Sequence, residues 1–267
     1  MPDISTVPRD LEVPFAKVAE PAPGVRSIQT TDGWEDTDVH HTLYLPVDWE
    51  PDKKYPVLVD YPGNGGYRNE FGDVSDGTVE GVRLGYGISG GRGFIWVCMP
   101  FVEVKDGMKQ NSARWWGDVE ETKRYCMATV RDVCARFGGD ERTVVLCGFS
   151  RGAIACNYIG LGDDEIAKIW RGFICHSHYD GVRGWPHADS DPASALARLK
   201  RLGNRPQFIS HEISTDDVQQ WLRSTGIAGR WTIETLPFRN HTTDWALCDL
   251  PIRRKVREWL DGVLAIS

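Results

Sequence analysis

The chain has 267 residues, 41% hydrophobic and 26% charged, enough to bury a substantial core, which excludes a disulfide-stapled miniature and a disordered chain. Its net charge of −7 comes without the basic excess or stripe that nucleic-acid binders present. No apolar run approaches the ~18 residues that a membrane span needs.

Residues 1–23 are rich in proline and acid and read as an extended arm lying on the remainder, 24–267. The Met1-Pro2-Asp3-Ile4-Ser5 start lacks the basic and apolar regions of a secretory signal. Gly24 to Thr31 and Val39 to Val47 read as two antiparallel strands joined through Asp32-Gly33. The pattern then changes to short, nearly continuous apolar runs at 57–61, 94–99, 143–147 and 173–175, extended by 206–210 and 231–236. Such runs suit strands buried on both faces of a parallel sheet. Between them lie helical segments. The clearest opens at Asp118 with Glu121 three residues on, an N-cap pair, and stops at Gly138-Gly139. A last helix is expected over about 245–264. Strands alternating with helices after an antiparallel pair imply one α/β domain with a mostly parallel sheet.

Seven cysteines, an odd number without CxxC or zinc-ligand spacing, read as reduced core residues and point to the cytoplasm.

The chemistry concentrates in Gly148-Phe149-Ser150-Arg151-Gly152, which follows the apolar strand at 143–147 and precedes a small-residue helix. That strand–turn–helix setting is what the G-x-S-x-G nucleophile elbow requires, with glycines two positions either side of the serine because the turn leaves no room for a side chain. A serine nucleophile needs a base. His241 lies after the last expected strand and before the last helix, where a loop can return an imidazole over the strand ends. For the acid, Asp216 after the strand at 206–210 is favoured over Asp217, with Glu212 third. The Gly-rich stretch Tyr61-Pro62-Gly63-Asn64-Gly65-Gly66 follows a strand end, and the backbone N–H groups of Asn64 and Arg151 are candidate oxyanion donors.

These residues resemble the α/β-hydrolase superfamily, and within it the esterase branch of feruloyl esterases, acetylxylan esterases and polyhydroxybutyrate-depolymerase-like proteins. The resemblance spans about residues 36–264. It implies a single-domain α/β-hydrolase fold with helices on both faces of the sheet. It also implies a Ser-acid-His triad on Ser150, Asp216 and His241, an acyl-enzyme, and no cofactor. The chain departs from its relatives in carrying Pro62-Gly63 where they have His-Gly, and Glu212 where a Gly usually precedes the acid. The expected substrate is a small-molecule or carbohydrate-linked ester, with an aromatic acyl group among the options. The runner-up is a prolyl-oligopeptidase-like peptidase.

Other signals compete. Trp115 and Trp116 follow a strand end and offer planes for a sugar or an aromatic acyl group. Arg114 and Arg151 are candidates for holding a substrate carboxylate. His176, His178 and Asp180 match the opening of a metallo-hydrolase signature, with His187 as a further ligand, giving a metal-dependent alternative. His178 otherwise reads as pocket lining. Gly85-Tyr86-Gly87-Ile88-Ser89-Gly90 matches G-x-G-x-x-G, but no strand precedes it, so nucleotide binding is set aside. Asn240-His241-Thr242 is a formal glycosylation sequon expected to go unused. A non-catalytic binding protein on the same scaffold is the remaining alternative.

Overall fold

The computed structural model describes residues 1–265. In chain order its strands are β1 (Arg26–Gln29), β2 (His41–Tyr44), β3 (Tyr55–Tyr61), β4 (Tyr67–Arg68), β5 (Val74–Ser75) and β6 (Ile95–Cys98). There follow β7 (Val102–Lys105), β8 (Met108–Asn111), β9 (Gly139–Phe149), β10 (Trp170–His176), β11 (Gln207–Glu212) and β12 (Trp231–Leu236). The helices are α1 (Leu84–Ser89), α2 (Val119–Phe137), α3 (Arg151–Tyr158), α4 (Asp164–Ala167), α5 (Pro192–Leu199), α6 (Asp216–Thr225) and α7 (Pro251–Leu264).

Eight strands form one sheet in the order β1-β2-β6-β3-β9-β10-β11-β12. Only the β1–β2 and β2–β6 pairings are antiparallel. The alternation of side chains explains the unbroken apolar runs. Val57 and Val59 of β3, with Val144 and Leu146 of β9, pack on the face covered by α2 to α6. Leu58, Val145 and Cys147 pack on the other, under α1 and α7. Because both faces are dry, a polar side chain in these strands carries a desolvation cost unless it finds a partner.

Helix α2 begins where its cap signal lies: the Asp118 carboxylate accepts from the Glu121 N–H at 3.0 Å, and Gly138 closes the helix at φ 77°. The last helix differs from the sequence expectation. A 3-10 turn occupies Asp244–Leu247, and α7 starts only at Pro251. Proline cannot continue an incoming helix and holds Leu250 extended, at φ −118° and ψ 151°. The β7–β8 hairpin was not foreseen either. Its two-residue tip, Asp106-Gly107, has both residues at positive φ, the Asp-Gly turn that favours a tight hairpin. The G-x-G-x-x-G stretch is helix α1 and its Gly90 cap.

The arm crosses the far side of the β12–α7 connection. The Asp10 and Leu11 N–H groups donate to the Leu247 carbonyl, and Arg253 pairs with the Asp10 carboxylate. All seven cysteines are free and buried. Among the described residues no helix is long and apolar enough to cross a membrane.

Candidate active site

Strand β9 runs directly into α3 through Ser150, whose φ of 55° and ψ of −113° are a strained conformation for a residue with a Cβ. The turn is tight enough to dictate its neighbours. A Cβ on Gly148 would lie 2.3 Å from Gly152 backbone, and one on Gly152 would lie 2.1 Å from the Tyr61 carbonyl oxygen. The Ser150 N–H donates to the His176 carbonyl at 2.9 Å, tying the turn to the end of β10. Its own carbonyl accepts from the Ala153 and Ile154 N–H groups, so the hydroxyl stands at the positive end of α3.

The loop after β12 brings His241 over this hydroxyl: Ser150 Oγ lies 3.0 Å from His241 Nε2. His241 Nδ1 lies 2.5 Å from Glu212 Oε1. The other Glu212 oxygen accepts from Ser177 Oγ at 2.5 Å. Burial alone would push the Glu212 carboxyl up, but the hydrogen bond and charge of His241 outweigh it and hold the group well below the usual carboxylate range. The imidazole is flanked by the rings of Phe149 and Tyr67, at centroid distances of 4.7 and 4.8 Å, and by His178 at 5.2 Å. Burial takes the His178 ring down to about 3, so His241 has an uncharged neighbour.

Several groups fix this loop from behind. The His241 N–H donates to Asp73 Oδ2 at 2.8 Å, and Asn240 Nδ2 donates to Asp73 Oδ1 at 3.0 Å. The Ile4 N–H of the arm donates to Asn240 Oδ1 at 2.8 Å, and Asp3 pairs with Arg239 at 2.7 Å. Both ends of the Asn240 amide are thus engaged, inside the formal sequon. Opposite Ser150, Asn64 Oδ1 accepts from the Trp115 N–H at 2.8 Å and ties the Gly-rich loop to the turn after β8. In that loop the Gly65 and Gly66 N–H groups bond to the carbonyls of Ala113 and Ser75. The N–H groups of Asn64 and Arg151 have no partner among the described residues, and both residues line the pocket with Ser150.

Some expected residues take other places. Asp216 does not meet His241: it lies exposed in the first turn of α6, its N–H bonded to Ser214 Oγ at 3.0 Å, and Asp217 is exposed beside it. The reason is register. Strand β11 runs on to Glu212, paired with Leu236 of β12, so the carboxylate at the strand's own end faces the loop and the chain then turns away. The Arg151 guanidinium does not open to the pocket. It is buried over the Phe101 ring at 4.1 Å, donating to the carbonyls of Trp115, Ser112 and Gly77, and burial brings it down to about 9. Arg114 is exposed against the Gly66 backbone, outside the pocket lining. Trp116 is core, stacked on Tyr158 at 4.5 Å, whereas Trp115 lines the pocket.

The metal constellation is dispersed. Asp180 is buried in a two-point ion pair with Arg198 at 2.8 and 3.1 Å. His176, fully buried and lowered by burial to about 4, receives the Trp245 indole N–H on Nε2 at 2.9 Å and faces Ser210 Oγ with Nδ1. Of the three only His178 lines the pocket, and His187 packs against Trp116 and Tyr158. Among the described residues no three His, Cys, Asp or Glu side chains are gathered to hold a metal.

The pocket has a volume of about 710 Å³, with Tyr67, Phe71, Trp115, Trp185 and Ile213 among its apolar walls. Sequence reasoning missed Tyr67, Asp73, Ser177, Arg183 and Trp185. Ser177 was legible as the residue after a buried strand, but nothing local to Asp73 announces a partner 168 positions away.

No protein-family model matches the chain, and no curated protein does. Solved structures do. An acetyl ester-xyloside bifunctional hydrolase from Caldicellulosiruptor lactoaceticus aligns over 94% of this chain and 100% of its own, with 11% identity and a TM-score of 0.63. A thermostable esterase aligns over 88% of this chain and 62% of its own, with 15% identity and a TM-score of 0.55. Porphyromonas gingivalis dipeptidyl peptidase 4 aligns over 90% of this chain and 36% of its own, with 13% identity and a TM-score of 0.56. The chain therefore spans less than two thirds of the latter two. At these identities the likeness is one of fold alone, a fold shared by the esterase and the peptidase among these structures.

Proposed function

We propose that the chain is a serine hydrolase of carboxylic esters in which Ser150 attacks, His241 moves the proton and Glu212 orients the imidazole. The observation that carries this reading is the continuous series Ser150 Oγ, His241 Nε2, His241 Nδ1, Glu212 Oε1, at 3.0 and 2.5 Å, on a serine held at positive φ. In the first step His241 Nε2 takes the hydroxyl proton as Ser150 Oγ bonds to the ester carbonyl carbon. The charge that develops on the carbonyl oxygen is received by the N–H groups of Arg151 and Asn64, which are pre-positioned and unspent. Glu212 accepts the Nδ1–H and stabilises the imidazolium without taking its proton. Collapse expels the alcohol, protonated by His241, and leaves an acyl-Ser150. Water, deprotonated by the same imidazole, then releases the acid and restores the hydroxyl. Each step uses only the chain's own groups and water.

The aromatic walls support esters with a flat or carbohydrate-linked part, in keeping with the acetyl ester-xyloside hydrolase among the similar structures. The peptidase neighbour makes amide cleavage the competing reading. Seven buried free thiols favour a reducing compartment, the cytoplasm. Purified protein is expected to hydrolyse short-chain aryl esters faster than the matching anilides, and Ser150→Ala to lose about 10⁴-fold or more in kcat. Equal turnover by Ser150→Ala would remove the proposal, and preference for the anilide would move it to the peptidase side.

A further inference from the structure

The pocket around Ser150 carries positive charge that the fold does not consume. Arg183 lies on its wall, exposed, with its guanidinium 5.1 Å from the Trp185 ring centroid. Among the described residues it makes neither an ion pair nor a hydrogen bond, unlike Arg198 close by in sequence, which is held by the Asp180 carboxylate and the Asp189 carbonyl. Arg239 lines the same pocket over the Phe71 ring at 4.4 Å; one of its nitrogens pairs with Asp3, and its buried Nε has no partner. None of the acids nearby forms an ion pair with Arg183. Glu212 is committed to His241 and Ser177, and Glu70 is exposed on the pocket lining. Asp216 and Asp217 line the adjoining hollow, which shares Arg183, and among the described residues neither forms an ion pair with it. His178 is held neutral by burial. In a chain of net charge −7, an unspent cation on the wall of the reactive pocket needs a reason.

We propose that this pocket takes an ester whose flat apolar body bears a carboxylate, the body lying against Trp115 and Trp185 and the carboxylate received by Arg183. One uncompensated guanidinium, with Arg239 half-spent on Asp3, matches a single negative charge, and the planar fork matches a carboxylate's two oxygens. The guanidinium carbon sits 5.1 Å from the Trp185 ring centroid, close enough for a cation–π contact, while its N–H groups make no hydrogen bond among the described residues. The assignment rests on the ester-hydrolase reading above and adds to it the charge of the substrate.

The test is a pair of acetyl esters alike in size, para-acetoxybenzoate and para-acetoxybenzamide, which give up acetate and the corresponding phenol. The wild-type protein should favour the carboxylate in kcat/KM, and rising ionic strength should erode that preference. Arg183→Gln should lower the carboxylate-to-carboxamide ratio about tenfold; Arg183→Lys should keep part of it. Turnover of both esters with the same ratio in wild type and Arg183→Gln, or a wild-type preference for the carboxamide, overturns this assignment and leaves the hydrolase reading standing. Turnover of neither ester above the Ser150→Ala background overturns both.

Discussion

Glu212 and Asp216 stand four residues apart, and the physics separates them clearly. Glu212 is buried, hydrogen-bonded on both oxygens and held ionised by the imidazole it faces; Asp216 is exposed and bonded through its backbone. Replacing Glu212 by Gln keeps the shape but removes the charge that stabilises the imidazolium. It should cost roughly 10²–10⁴ in kcat, whereas Asp216→Asn should stay within about twofold. Steady-state kinetics on one aryl ester decides it, and the reverse order of losses would return the role to Asp216. The elbow was legible because sterics force its glycines: Gly148 and Gly152 have no room for a Cβ. The carboxylate that meets His241 was not, because the choice turned on where β11 ends, and the polar pair His211-Glu212 reads as a loop although its backbone is still strand. A strand-end carboxylate with a shielded partner carries no local pattern.

At the scale of elements, His241 belongs to a loop that three separate segments immobilise. The β4–β5 connection supplies Asp73, the arm supplies Pro2, Asp3 and Ile4, and β10 lies beneath, its His176 against the Thr242 carbonyl. Asn240 is where the first two meet. Asn240→Ala leaves the Ile4 N–H and an Asp73 oxygen unpaired and frees the loop, so kcat should fall about tenfold or more from misplacement of the imidazole alone. KM should move little, since Asn240 itself is not on the pocket lining. Measured kcat equal to wild type, in protein shown folded by circular dichroism, would separate the arm from the reaction. Buried strands and capped helices such as α2 were readable from the sequence because each obeys a local rule. The arm's role was not: proline-rich composition reveals extension, and its docking depends on partners more than 230 residues away.

For the molecule as a whole, the central strands bury one carboxylate that the sheet does not fully satisfy. Asp60 is wholly buried at the end of β3; Oδ2 accepts from the Gly85 N–H at 2.7 Å and the Trp96 indole at 3.2 Å, while Oδ1 has no partner. Burial raises its pKa to about 6, with those two donors and the buried charge of Arg26 only partly opposing. A carboxyl raised on folding favours the fold when protonated. Below the unfolded value of 3.8 it contributes nothing; between 3.8 and about 6 stability falls with rising pH; above that the full cost remains. Asp60→Asn should therefore gain on the wild type between pH 4 and pH 7 by on the order of 3 kcal/mol at most, read from urea unfolding. A variant-to-wild-type difference that does not change with pH would contradict the assignment. The alternation of dry strands and helices made the sheet class legible, and the short antiparallel entry was visible as a change of period. The spatial order of the strands was not, because apolar runs of similar make-up do not identify their neighbours. That order is what sets Ser150, Glu212 and His241 at one end of the sheet.

The central claim concerns one hydroxyl and the imidazole that activates it. Treating the purified protein with a fluorophosphonate and mapping the adduct by mass spectrometry tests it most directly. The account predicts one adduct, on Ser150, formed far more slowly in His241→Ala. An adduct on another residue, or labelling of Ser150 at an equal rate without His241, would contradict it.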